Sequence, residues 1–528
     1  MKNLYRFTQI FSKKYFVLFL IIYFVIGVIS SLKVGISHDE FHEQQNWEYN
    51  KTLVYNFFEN KREIQDFKDK YYGIGFQIVS QPIQYILKNI LIEYKNIDSY
   101  GAKLISKHFV VFLFFFISGI FLYLILKKII NNKTFCSFSV LLYLIYPYLF
   151  GQALFSPKDI PFLSIWVVCT YLSFNIFEKL LERNALNYSN ILLLAISTAF
   201  LLSIRVAGVL ILFQYLITFI IFISSSKINL SSFFKKFYLK LIIFLFFLIF
   251  FTYILYPVFW INPLSIVAAV KQMASFYNDV CTNTLGTCMY AKNLPPTYIP
   301  IWLSVKLPLF ILIGILLIPF TEKKIFIDKK KIIFFGTILG TSIFIPLILI
   351  FKKVHLYDEL RHIMFLIPLL FILGSVSLYI FSKKIFYVAG FLTLSLFIFE
   401  NIRINPYQYV WFNLPSRYID LTNKFELEYQ GISGKEIAKH ISSLITENLC
   451  ILVSPEHTVK PFLDPKLFDC FDNWQLIDTN YKRPFLAVQH VRNIKKGKPF
   501  KCEIIYDTSF ELLFHKKKFV TGNLLKCY

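Results

Sequence analysis

An acidic cluster, Gly35-Ile36-Ser37-His38-Asp39-Glu40-Phe41-His42-Glu43, follows directly on the first long apolar run of the chain. Carboxylates at a water–lipid boundary are partly desolvated, which raises a pKa toward the range useful for a general base. Asp39 and Glu40 are the pair placed for that chemistry, and a plain hydrated helix end is the structural alternative. His38 and His42 are four apart, so a helix puts both on one face with Glu43 nearby, a weak set of ligands for a divalent metal. An interfacial pair of histidines is the alternative. The zinc-protease pattern needs Glu right after the first His, and Asp39 stands there, which leaves a membrane metalloprotease as a distant reading.

A second acidic element is Phe155-Ser156-Pro157-Lys158-Asp159-Ile160-Pro161. Its two prolines restrict the turn and hold Lys158 and Asp159 at the start of a helix. A helix cap accounts for Asp159 on its own but not for Lys158. Two arginines stand where lipid disfavours them. Arg205 interrupts an apolar stretch, and Arg361 with His362 opens another after the polar link His355-Leu356-Tyr357-Asp358-Glu359. A charge so placed faces a cavity or a partner. A guanidinium can grip a phosphate at two points, and pairing with Asp358 or Glu359 is the structural alternative for Arg361.

The elements that must position these residues are membrane helices. The chain has 528 residues, 56% of them hydrophobic with 61 Phe, more apolar surface than a soluble fold buries. Spanning runs begin at roughly 15–32, 105–126, 134–150, 160–177, 190–204, 207–224, 238–256, 301–320, 332–351, 361–381 and 385–400, about eleven helices in all. The stretch Ile191 to Phe222 is long for one helix and short for two, and parity depends on it. Counting it as two and the N-terminus (Lys2, Arg6, Lys13, Lys14) as cytoplasmic puts the short basic loops on the cytoplasmic side. These loops include Lys127-Lys128, Lys179, Lys235-Lys236, Lys329-Lys330-Lys331 and Lys383-Lys384. Asp39, Asp159 and Arg361 then share the outward side. The first run lacks a small-residue cleavage site and is expected to stay as an anchor.

The net charge of +24 is spread over these short runs, which reads as topology signal and lipid attraction and gives no nucleic-acid face. Cys281, Cys288, Cys450, Cys470, Cys502 and Cys527 all fall outside, an even set suited to disulfides. Cys281 and Cys288 are close enough in sequence to be expected as a local bridge, and the four tail cysteines allow three pairings. A zinc site is the competing reading, without the usual ligand spacing. The segment Glu43 to Lys70 mixes Trp47, Leu53, Val54, Phe57, Phe58, Ile64 and Phe67 with charge, a pattern for helices in the interface that cover a site or simply anchor. We expect two units, residues 1–414 in the membrane and 415–528 as a small extracytoplasmic α/β domain. The second has a helix near Gly434–Leu444 and strands at Cys450–Ser454, Phe485–Gln489 and Cys502–Tyr506. The chain has no Gly-rich phosphate loop.

These motifs together resemble the protein O-mannosyltransferase type of membrane glycosyltransferase, the GT-C fold of glycosyltransferase family 39, which includes the lipid A aminoarabinose transferases. The resemblance lies in the Asp39-Glu40 pair, the Pro157-Lys158-Asp159 turn, Arg361-His362 ahead of a helix with Pro368, and Asn405-Pro406-Tyr407-Gln408-Tyr409-Val410-Trp411-Phe412-Asn413 after the last span. It covers roughly residues 15–415 in layout. The resemblance implies an enzyme taking a sugar from a polyprenyl-phosphate donor at the outer face of a bacterial inner membrane. The acceptor would be a glycan, lipid or protein. Asp39 would be the base, Glu40 would position the acceptor, and Asp159 would be a second acid. Arg361, with Lys158, His362 and Arg205, would hold the donor phosphate. The tail does not resemble the β-trefoil module of the eukaryotic members. A transporter or flippase for a lipid-linked glycan is the rival reading, expected to show charges at mid-membrane depth and paired broken helices.

Overall fold

A computed structural model describes residues 13–61, 67–95, 97–183, 185–276, 279–325, 327–444, 449–467, 470–472, 484–494 and 502–528. Lys2, Arg6 and Ile64 lie outside these described residues. Among the described residues, eight helices are long and apolar enough to cross a membrane: Tyr15–Lys33, Ser99–Ile129, Asp159–Leu181, Val206–Ser226, Leu230–Ile254, Lys329–Phe351, Arg361–Phe381 and Lys383–Arg403. Of the other three expected spans, two are helical but interrupted and one is a shorter helix. Lys133–Ile145 and Pro147–Ala153 meet at a bend of 63°, where Pro147 removes a backbone donor. Tyr188–Ile204 is a 17-residue helix. The run near 301–320 splits into Tyr298–Lys306, Leu309–Leu316 and Ile318–Ile325, with Pro308 at the first break.

The outer surface of the bundle is what a membrane requires. On Leu230–Ile254 the side chains of Ile242, Phe246 and Ile249 stay exposed, a band that water would not tolerate but lipid does. The chain is an integral membrane protein. Inside, helices pack through aromatic rings, with Trp166 and Phe365 centroids 4.2 Å apart. Small residues allow the closest approaches: a Cβ on Gly314 would lie 2.0 Å from the carbonyl oxygen of Gly374, so this crossing is backbone against backbone.

The two ends of the bundle differ in charge. Lys128 bonds Glu178, and Lys330 bonds Glu178 and Glu182 at 3.1 and 2.5 Å. This gathers three basic loops at one end. Glu178 is close to the last turn of the helix whose first residue is Asp159, so the Asp159 cluster lies at the opposite end, roughly 30 Å away at 1.5 Å per residue.

At that second end the chain forms a hairpin of β1 (Cys281–Thr284) and β2 (Thr287–Tyr290), and a mixed sheet of five strands. The sheet order is β4 (Phe471–Asp472), β3 (Ile451–Val453), β5 (Phe485–His490), β7 (Phe519–Cys527), β6 (Cys502–Phe510). β3 runs parallel to β4 and β5, and β7 runs antiparallel to β5 and β6. The amphipathic helix Gly434–Leu444 covers one face with Ile437, Ala438 and Ile441 against Val453, Val488 and Leu524. Disulfides join Cys281 to Cys288, Cys450 to Cys470 and Cys502 to Cys527. The tail is tied down at its root, where the buried Arg417 donates to Glu400 at 2.8 Å and to the Phe412 carbonyl. Leu421, Phe425, Ile432 and Phe519 belong to the same apolar core as the membrane helices.

Candidate active site

Separate stretches of chain meet at the charged end around a cavity of about 350 Å³. The first is the helix His38–Phe58, which starts where Ser37 turns extended. Glu40 reaches back to accept the Ser37 N–H at 2.5 Å, and its other oxygen meets His108 Nε2 at 2.7 Å. This fixes the helix start and leaves Asp39 on the cavity wall, partly exposed, while Glu40 is buried and does not line the cavity. His457 Nε2 bonds the Ser37 carbonyl at 3.1 Å, and the Gln430 carbonyl accepts the His38 N–H at 2.7 Å, so the tail grips the same turn.

The second stretch is the Ser156–Asp159 turn. Lys158 takes the cap position and makes no side-chain cap hydrogen bond, and Asp159 is the first helical residue. The carboxylate of Asp159 is fully buried. One oxygen accepts from Arg361 Nε at 2.8 Å and from Ser156 Oγ at 3.2 Å, and the other meets Arg205. It is held by arginines, and no cap role is seen. Lys158 donates to Glu43 at 2.6 Å with its ammonium 3.7 Å from the Tyr72 ring centroid. Burial holds the Lys158 amine below the usual lysine range, and Glu43 opposes that shift.

Arg205 is brought in by a helix break. The chain turns extended at Arg205, between Tyr188–Ile204 and a short 3-10 turn at Val206–Val209, and the guanidinium points to Asp159 instead of lipid. The apolar stretch from Ile191 to Phe222 is therefore two helices, separated where the charge needs a partner.

The fourth stretch is the link before Arg361–Phe381. Asp358 and Glu359 both adopt left-handed backbone, φ 55° and 64°, uncommon for residues with a Cβ. The turn sends the two carboxylates to different partners. Glu359 meets the buried Lys306 at 2.9 Å, and burial pushes its carboxyl up to about 8, with Lys306 opposing. Asp358 accepts from Arg361 Nη1 at 3.3 Å. Arg361 thus touches three carboxylates, those of Asp39, Asp159 and Asp358. His362 also lines the cavity, packed edge-on against Tyr357, with its Nε2 buried and, among the described residues, without a hydrogen-bond partner.

Of the residues singled out in the sequence, Asp39, Asp159, Arg361, Lys158, Arg205 and His362 come together here, and Glu40 supports from behind. The weak metal set does not converge. His42 Nδ1 faces Asp69 at 3.8 Å, Glu43 is taken by Lys158, and among the described residues no three His, Cys, Asp or Glu are grouped to hold an ion. The Asn405–Asn413 motif is a strap: Asn413 donates to the carbonyls of Ser304 and Leu307 at 2.6 and 2.9 Å, and Trp411 to Glu400. Two contributors had no signal in the sequence. Asp69 faces His42 from the loop before Gly75–Lys95, and burial raises its carboxyl above the usual range. Arg492 arrives from the tail and bonds Asp358.

No protein-family model matches the chain, and no curated protein matches its sequence. Among solved structures, the chain is similar to ArnT from Cupriavidus metallidurans bound to undecaprenyl phosphate. That match covers 96% of this chain and 97% of the other, at 10% identity and a TM-score of 0.45.

Proposed function

We propose that the protein is a membrane glycosyltransferase that moves a sugar from a polyprenyl-phosphate donor to an acceptor hydroxyl, on the extracytoplasmic side of a bacterial inner membrane. The observation that carries this reading is the meeting of Asp39 and Asp159 on Arg361, from three distant segments, with Asp39 and Arg361 in the wall of one cavity at the end of the bundle away from the basic loops. Residues 1–414 would be the transferase unit and 415–528 the unit that covers it.

The reaction is a single displacement with inversion. The acceptor oxygen bonds to the anomeric carbon as the bond from that carbon to the phosphate oxygen breaks. The acceptor proton passes to Asp39, and the leaving group departs as polyprenyl phosphate. Asp39 acts as general base, and Arg361, flanked by Arg205, Lys158 and His362, stabilises charge on the departing phosphate. Asp159 holds Arg361 and Arg205 in place, and Glu40 orients the turn that carries Asp39. The acceptor would be a glycan, lipid or protein hydroxyl.

The test is to incubate the purified protein in lipid with a panel of polyprenyl-phosphate sugars and follow release of the lipid phosphate. One donor should be consumed. If none is consumed with any acceptor class, the transferase reading is wrong.

A further inference from the structure

Among the described residues that line the cavity, Arg492 is the only one from the strand-bearing tail. It follows β5, the central strand of the sheet, whose six residues are all buried and paired with β7, with Leu486, Ala487 and Val488 also paired with β3. His490, at the end of that strand, meets Thr458 at 3.0 Å and Ser433 at 3.3 Å. Arg492 itself lies in the short helix Val491–Ile494, which follows directly on this strand.

Its surroundings are those of an incompletely occupied cation. Arg492 Nη2 bonds one oxygen of Asp358 while Arg361 bonds the other, so one carboxylate holds two guanidiniums side by side. Glu426 approaches Arg492 Nε at 3.4 Å, and the group lies over the Tyr429 ring. Among the described residues Nη1 meets no hydrogen-bond acceptor, and the side chain remains 35% exposed at the cavity wall. An arginine whose task was only to brace the tail would have its fork closed by these carboxylates. Two guanidiniums sharing one carboxylate, one of them with an open N–H edge toward the cavity, suit a tetrahedral oxyanion bound between them.

We propose that Arg492 is a second phosphate-binding residue, which joins Arg361 on the phosphate of the lipid donor, so that the tail completes the donor site. This rests on the transferase reading. It assigns the tail a direct part in binding: a donor phosphate bridges the membrane helices and the sheet.

The test uses the full chain in lipid nanodiscs, with R492Q and R492K beside the unaltered protein and R361Q. Affinity for a short-chain polyprenyl phosphate is measured directly, and donor KM and kcat by turnover. Removing one charge-assisted contact to phosphate should weaken lipid-phosphate affinity and raise donor KM about tenfold or more in R492Q. The effect on kcat should be smaller, and R492K should recover part of the loss because one ammonium replaces one arm of the fork. Melting temperatures identify variants that have lost the fold, and R492K carries the test if R492Q does not fold. Unchanged lipid-phosphate affinity and donor KM in a folded R492Q, with affinity lost in R361Q, would overturn the role of Arg492 and leave the transferase reading intact. Failure of the unaltered protein to bind polyprenyl phosphate would overturn both.

Discussion

Asp39 and Arg361 stand 322 residues apart in the chain and form an ion pair in the wall of the cavity. The proposed base and the proposed phosphate ligand are therefore direct partners. A donor phosphate competing for Arg361 would release the Asp39 carboxylate toward the acceptor.

Asp39→Asn keeps the shape of the side chain but removes the base. We expect turnover to fall by at least about 10²-fold, with insertion and melting temperature nearly unchanged because the Asp39 side chain is partly exposed. Parallel turnover and melting measurements check this. Full turnover in D39N would exclude Asp39 from the chemistry.

Asp159 is a different case. It is fully buried between Arg205 and Arg361, and its removal takes away the carboxylate that Arg205 meets and one of the three that Arg361 touches. Asp159→Ala should destabilise the protein by about 3–5 kcal/mol, read as a large drop in thermal unfolding temperature in lipid. A variant that loses activity but keeps full stability would contradict the bracing role given to Asp159.

Glu359 gives a pH dependence of defined sign. Burial raises its folded carboxyl from the usual 4.5 to about 8, so the folded state binds the proton more tightly than the unfolded chain does. Stability from this group is fully present below about pH 4.5 and is lost as pH rises to about 8, with a slope of at most about 1.4 kcal/mol per pH unit. Glu359→Gln should flatten that slope. Parallel stability curves for the two proteins between pH 5 and 8 would remove Glu359 as the cause.

The cysteines divide into three bonded pairs and two buried thiols, Cys136 and Cys169. Alkylation of the unfolded, unreduced protein should label those two alone, and peptide mapping should recover Cys281–Cys288, Cys450–Cys470 and Cys502–Cys527. Replacing both Cys502 and Cys527 by Ser should cost about 2–4 kcal/mol, because that bond ties β6 to β7. Any other pairing would refute the strand register of the tail.

The amino-acid sequence by itself determined the helical membrane architecture, since long apolar runs must become helices where backbone groups find no water. It also determined the tail helix Gly434–Leu444 and three of its strands, which alternate or cluster apolar residues over short runs, and it marked Asp39, Lys158, Asp159, Arg205 and Arg361 as charges out of place. Tertiary structure alone decided their partners. The division of Asp358 and Glu359 between Arg361 and Lys306 depends on a left-handed turn that no residue type there announces. The inward turn of Glu40 toward His108, the arrival of Asp69, and the reach of Arg492 from the sheet are contacts between segments far apart in the chain. Their geometry is set by packing, and local spacing carries no record of it.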